Sequence, residues 1–190
     1  MDKESLDYLG DIIEESKESR EFIIDLLKYS KSIYSFNDDS ELVNMVELMN
    51  RIVKKIAPPN NYQLVIHDDL PELYLPRIAL RHVFGNLIEN AVKYNENDKP
   101  KIIIKHESHE DYYDFIITDN GKGIEPDLLR IIRKLFGGNL DSDSKFIKSI
   151  GLGLAIVNKL VMLMGGVISV QSIVGSGTEY TIRLPQNTLI

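Results

Sequence analysis

The chain has 190 residues, enough for one or two small domains, and its 43% hydrophobic and 27% charged content is that of a globular protein with a packed core. A net charge of -7 argues against broad binding to nucleic acid or anionic membrane. The absence of cysteine excludes disulfides and thiolate metal sites.

Residues 4–34 read as one long helix. Leu6, Leu9, Ile13, Ser16, Arg20, Ile23 and Leu27 follow a 3-4 spacing, a heptad seam with two polar members. Ile12, Phe22, Leu26 and Tyr29 widen the apolar face, which predicts a bundle between chains. At 1.5 Å per residue such a helix is about 45 Å long. Phe36–Ser40 is a polar break, and Asp38, Asp39 or Ser40 is placed to cap a helix near 41–56 that ends before Pro58-Pro59. Tyr62–His67 alternates like a strand, Asp68–Pro71 turns the chain, and Leu73–Leu75 reads as a second short strand.

The next helix, about 77–94, has an unusual polar face. Phe84, Leu87, Ile88, Ala91 and Val92 share one side, while Asn86, Glu89, Asn90 and Lys93 form the opposite stripe. A solvated face usually carries Glu and Lys. Two asparagines four apart, followed by a lysine, instead line up amide oxygens, amide protons and one cation.

Asn95–Pro100 is a loop. Lys101–Lys105 and Tyr112–Thr118 read as strands joined by a charged connection, His106–Asp111. The second strand runs into Asp119-Asn120-Gly121-Lys122-Gly123-Ile124, and Pro126 suits the first turn of a helix near 126–135. The glycine-rich, polar stretch Phe136–Ser144 predicts a mobile loop. Gly151-Leu152-Gly153-Leu154 leads into a helix over Leu154–Met164, stopped by Gly165-Gly166. Val167–Ile173 is a strand, Gly175–Gly177 a turn and Thr178–Leu184 the last strand. The pattern over about 41–186 is a mixed α/β sandwich whose strands mostly pair as hairpins.

Three stretches suggest chemistry. A carboxylate at a strand end, Asp119, accepts a hydrogen bond from an exocyclic amine such as that of adenine, and the following glycines let a flat ligand approach the backbone. Gly151–Gly153 opens a helix whose first free N–H groups suit phosphate oxygens. Gly175-Ser176-Gly177-Thr178 is a tight turn. Taken singly, each also reads as an ordinary turn or a flexible loop. A dinucleotide-binding reading of Gly151–Gly153 fails, because no strand directly precedes it and the third glycine is absent.

In order and spacing, the four stretches resemble the nucleotide-binding boxes of the Bergerat-type ATPase superfamily, shared by gyrases, heat-shock chaperones, histidine kinases and mismatch-repair proteins. They are most similar to the catalytic ATP-binding domain of sensor histidine kinases. Asn86–Tyr94 resembles the asparagine box, Asp119–Ile124 the first glycine box and Gly151–Val157 the second. Phe136 stands where a phenylalanine box would be, and Gly175–Thr178 resembles the closing glycine-threonine turn. Asp25–Ser30 looks like part of the second helix of the dimerisation hairpin.

The resemblance implies a two-layer α/β sandwich, a mixed sheet with helices on one face, preceded by a bundle-forming helix. Residues 1–35 would be part of a dimerisation hairpin and 36–190 the catalytic domain. It implies ATP and Mg²⁺ as cofactors, with Asn90 placing its amide oxygen on the metal and Asn86 assisting at the phosphates. Lys93 would reach the phosphates, Tyr94 would lie near the sugar, and Asp119 would read the adenine amine. Gly121, Gly123, Ile124 and Thr178 would stand near that end, and Gly151, Leu152, Gly153 and Leu154 near the triphosphate. Arg133, Lys134, Lys145 and Lys148 flank the proposed lid. Glu89 would lie on the rim and polarise the acceptor. In water-using relatives a glutamate stands at the position of Asn86; an amide cannot take up a proton, which points to phosphoryl transfer rather than hydrolysis.

The implied partners are ATP, a second copy of the chain through the N-terminal helix, a histidine-bearing acceptor and then a response regulator, with no nucleic acid. Two departures stand out. His67, His82, His106 and His109 all lie off the opening helix, and none begins the family's His-Glu-x-x-x-Pro pattern, so the acceptor must come from outside. Ser149 replaces the first glycine of the second glycine box and Ile150 a small polar residue. A non-catalytic nucleotide-binding regulator and a serine kinase of the anti-sigma-factor type remain open as alternatives. No apolar run approaches the ~18 residues of a membrane span, and the acidic N-terminus does not suit a signal peptide. The segment is therefore expected in the cytoplasm without membrane contact, on its own or as the cytoplasmic part of a membrane-bound sensor.

Overall fold

A computed structural model describes residues 40–56, 58–59, 61–138 and 152–186. The helix expected over 4–34 and most of the expected mobile loop lie outside the described residues. In chain order the elements are β1 (Glu41–Asn44), α1 (Met45–Ile56), β2 (Gln63–Ile66), β3 (Glu72–Leu75), α2 (Arg77–Lys93), β4 (Lys101–Ser108), β5 (Tyr112–Asp119), α3 (Pro126–Phe136), α4 (Leu152–Leu163), β6 (Val167–Ile173) and β7 (Gly177–Pro185).

Five strands form a mixed sheet in the order β2-β4-β5-β7-β6. The hairpins β4–β5 and β6–β7 match the expectation from sequence. The parallel pairing of β2 with β4 departs from it. Parallel neighbours need a crossover, and here β3 and α2 supply it. Along the strands alternate residues point one way: Ile102 and Ile104, Phe115 and Ile117, Ile168 and Val170, Tyr180, Ile182 and Leu184 are all buried. They meet Leu80, Val83, Phe84, Leu87 and Ile88 of α2 and Ile156, Val157, Leu160 and Val161 of α4 in one core. Phe84 and Phe115 touch edge to face at 5.4 Å between ring centroids. The sheet thus has helices on one face, a two-layer α/β sandwich. On the opposite face Arg183 forms a bidentate pair with Asp114 at 2.8 Å and lies 3.8 Å over the Tyr112 ring. The guanidinium holds the Asp114 carboxyl below its ordinary pKa.

The helix expected over 41–56 begins only at Met45. Residues 41–44 pair instead with β3, Glu41 opposite Leu75. The partner strand lies beyond β2, so local periodicity carries no trace of it. The cap therefore shifts from Asp38, Asp39 or Ser40 to Asn44, whose side-chain oxygen accepts the Glu47 N–H at 2.9 Å. Asn44→Ala is expected to lower unfolding free energy by about 1 kcal/mol, read by thermal melting.

Candidate functional site

The asparagine stripe sits on α2, where burial of Leu87, Ile88 and Ala91 against the sheet turns the opposite side outward. Asn86 is fixed: its Nδ2 donates to the His82 carbonyl at 2.8 Å. This leaves Oδ1 facing the first turn of α4, where a Cβ at Gly153 would stand 3.1 Å away. Asn90 is half-buried, and among the described residues its carboxamide has no hydrogen-bond partner. Glu89 and Lys93 are exposed, with Lys93 Nζ 5.4 Å from the centre of the Tyr94 ring. On the α1 side of α2 a groove of about 450 Å³ ends at Asn86 and Glu89. Ile52, Ile56 and Ile78 line it, with Lys55 and Arg81 at its edge.

A second group of side chains gathers where β5, β7 and β6 end. Asp119 stands opposite Thr178, and Thr178 opposite Ser172, so the three form one row across the strands. Asp119 Oδ1 accepts the Gly121 N–H at 2.8 Å, and the backbone of Thr178 also bonds to the carboxylate. Burial pushes the Asp119 carboxyl above its ordinary pKa, outweighing these two bonds. Ser172 Oγ accepts the Ile124 N–H at 2.9 Å, donates to the Gly177 carbonyl at 2.8 Å and lies 3.1 Å from Thr178 Oγ1. Sequence reasoning passed over Ser172. The available signal was its parity with Ile168 and Val170, which puts a hydroxyl on the helix-covered face.

Gly123 and Gly177 have a structural role of their own. Gly123 (φ 72°) would place a Cβ 2.3 Å from the Ile173 carbonyl oxygen, and Gly177 (φ 114°) would place one 1.9 Å from the Asp119 carbonyl oxygen. They let backbone approach backbone, closing the loop after β5 onto the β6–β7 turn.

Tyr94 connects the two groups. It ends α2, and its carbonyl accepts the Lys122 N–H at 3.3 Å. Lys122 Nζ lies 5.3 Å from the centre of its ring. Tyr62 OH ties the same helix end down by donating to the Val92 carbonyl at 2.8 Å. Ile124 and the partly buried Leu152 pack on the core, as does the buried Leu154, whose side chain is turned away from solvent. Arg133 Nε is occupied with the Val170 carbonyl at 3.2 Å, and Lys134 is exposed. Phe136 packs edge-on against Tyr180 at 6.5 Å. Gly151, Ser149, Lys145 and Lys148 lie outside the described residues.

A family model described as "Histidine kinase-, DNA gyrase B-, and HSP90-like ATPase" matches residues 76–188, from the start of α2 past the end of β7. The chain belongs to this ATPase family. Among curated relatives of this ATPase domain, phytochrome-like protein Cph1 of Synechocystis is 28% identical over 192 residues, covering 97% of this chain and 25% of Cph1. The chain thus spans a quarter or less of the curated relatives it matches first. Solved structures that share the fold include those of MprB and ShkA. A structure of the mycobacterial sensor histidine kinase MprB aligns with a TM-score of 0.63 at 22% identity, over 79% of this chain and 99% of the chain in that structure. Full-length ShkA in complex with AMPPNP aligns with a TM-score of 0.68 at 22% identity, over all of this chain and 40% of ShkA. No helix among the described residues is long and apolar enough to cross a membrane.

The ATPase domain's own side chains fit a hard cation held mainly by its ligand. Among the described residues no three His, Asp or Glu side chains converge as a metal cluster. What the site offers is amide oxygen: Asn86 Oδ1, freed by the bond of its Nδ2, and the unpartnered Asn90 carboxamide. Mg²⁺ takes oxygen donors and retains waters and phosphate oxygens, so it needs few protein ligands.

Proposed function

We propose that this ATPase domain is the kinase core of a two-component sensor histidine kinase, which binds Mg·ATP and donates the γ-phosphoryl group to a histidine outside this chain. The observation that carries the reading is Asn86. Its Nδ2 is spent on the His82 carbonyl and its oxygen faces the start of α4, so the position holds no group that can deprotonate a water. Catalysis then rests on positioning and charge. Asn90, with Asn86 beside it, holds the metal that shields the phosphates, and Lys93 adds a cation. The backbone of Gly151 to Leu154 approaches the triphosphate, Tyr94 lies near the sugar, and Asp119 accepts the adenine amine. Gly121, Gly123, Ile124 and Thr178 shape the same end.

In the transfer, an imidazole nitrogen bonds to the γ-phosphorus as the bond to the β–γ bridging oxygen breaks. ADP leaves with that electron pair. Glu89, exposed where the groove between α1 and α2 ends, polarises the incoming imidazole through its N–H. The acidic segment before residue 36, with its heptad spacing, joins two copies, and a response regulator takes the phosphoryl group onward. The test mixes the chain with an acceptor-helix fragment, Mg²⁺ and radiolabelled ATP. Acid-labile label on the fragment is expected, and Asn90→Ala should slow its appearance roughly 100-fold, as for other groups that stabilise transition-state charge. Transfer unchanged in Asn90→Ala, or no ATP binding in the presence of Mg²⁺, overturns the reading.

A further inference from the structure

We infer that Ser172 fixes the proton direction of the Thr178 hydroxyl and so makes the base end of the nucleotide site select an amine over a carbonyl. The inference rests on the reading of Asp119 and Thr178 as that base end. A serine hydroxyl has one proton to give and two lone pairs to receive with. At Ser172 the proton goes to the Gly177 carbonyl at 2.8 Å, and one lone pair takes the Ile124 N–H at 2.9 Å. Neither direction can reverse, because a carbonyl has no proton and a backbone N–H has no lone pair to share. One lone pair is left. With the Ser172 proton on the Gly177 carbonyl, the shorter of its two contacts, the 3.1 Å contact with Thr178 Oγ1 runs from Thr178 to Ser172.

That bond uses the only proton of the Thr178 hydroxyl. Towards a ligand its oxygen presents lone pairs alone. Thr178 is 8% exposed, which leaves little solvent to offer the proton another partner. Its neighbour in the row, Asp119, is also acceptor-only when ionised. Two acceptors side by side complement an exocyclic amine, which brings two protons. They repel the carbonyl oxygen that replaces it in hypoxanthine or guanine. Ser172 touches no ligand in this arrangement; it is a positioning residue, acting through Thr178 from the neighbouring strand.

The experiment measures ATP and inosine triphosphate binding to the full chain by calorimetry. The two nucleotides differ by an amine against a carbonyl at position 6, and hypoxanthine also carries a proton on the adjacent N1. Wild type should favour ATP. In Ser172→Ala the Thr178 proton is released and can turn to a carbonyl, so the ATP-to-ITP preference should fall about tenfold, the scale of one hydrogen bond. Ser172→Thr keeps the hydroxyl and should keep the preference. Thr178→Val should lower it to the Ser172→Ala level, and adding Ser172→Ala to it should change nothing further. Equal weakening of both nucleotides in Ser172→Ala, or no change in either, overturns the inference and leaves Ser172 a merely structural residue. Should Ser172→Ala fail to fold, the threonine and valine variants decide: a lost preference in the first, or a retained one in the second, overturns it. Wild type that fails to bind ATP, or binds both nucleotides alike, overturns instead the reading of Asp119 on which the inference stands.

Discussion

Asp119→Asn should weaken ATP binding about 100-fold while the domain stays folded, because a charge-assisted hydrogen bond is lost and a donor is turned towards the ligand amine. Asp119 is the acid in the row with Thr178 and Ser172, and its oxygen is already aligned by the Gly121 N–H at 2.8 Å. The effect has a pH signature. Burial raises the carboxyl pKa, and in the proposed role the ionised form accepts the adenine amine. ATP affinity should therefore decline as pH falls through that raised value, starting at a higher pH than for a solvated carboxylate near 3.9. Asp119→Asn should lack this decline. Stability runs the other way. A carboxyl whose folded pKa lies above its unfolded value costs stability while ionised, and the cost is relieved as pH falls through the folded pKa. The unliganded Asn variant should thus melt no lower than about 3 °C below wild type, the change expected for roughly 1 kcal/mol in a domain of this size. Calorimetric titration across pH, with a melting curve at each point, checks both halves. Equal ATP affinity in the two proteins would remove Asp119 from the site.

Gly177→Ala should destabilise the domain by about 4 kcal/mol or more, placing it among the most damaging single substitutions. The added Cβ would lie 1.9 Å from the Asp119 carbonyl oxygen and 2.8 Å from Asn120 Cα, on a backbone with φ 114°. Neither clash can be relieved by a side-chain rotation. Both partners are backbone, and β5 and β7 are locked in register from Tyr112 opposite Pro185 to Asp119 opposite Thr178. Against a total stability of about 5–15 kcal/mol, the melting temperature should drop by roughly 10 °C or more. Gly175→Ala is the control. Its φ of 75° is also unfavourable for a side chain, but nothing lies within 4 Å of the added atom. That substitution should cost only about 1–2 kcal/mol. Similar melting temperatures for the two variants would show that backbone angle, rather than close approach, selects glycine at position 177.

What could be read in advance was local. Asn86, Glu89, Asn90 and Lys93 share a helix face by spacing alone, and the strand expected over Val167–Ile173 has those bounds in the structure. The boundaries that moved did so for long-range reasons. Residues 41–44 are compatible with a helix until β3 offers them hydrogen bonds, and Asn44 then becomes the cap. β2 reads as a strand, but nothing in it announces a parallel partner across a helix.

The sequence by itself determined the α/β class, the amide stripe on α2 and the presence of an acid at the end of β5, because helix and strand periodicity and turn chemistry act between near neighbours. Only the tertiary structure decided which groups face one another. It put the Asn86 oxygen against the start of α4, set Asp119, Thr178 and Ser172 in one row, and turned Gly123 and Gly177 into contacts between chain segments. Those arrangements depend on strand register and on packing between residues far apart in the chain, and a side chain's hydrogen-bond direction exists only once its partners are in place.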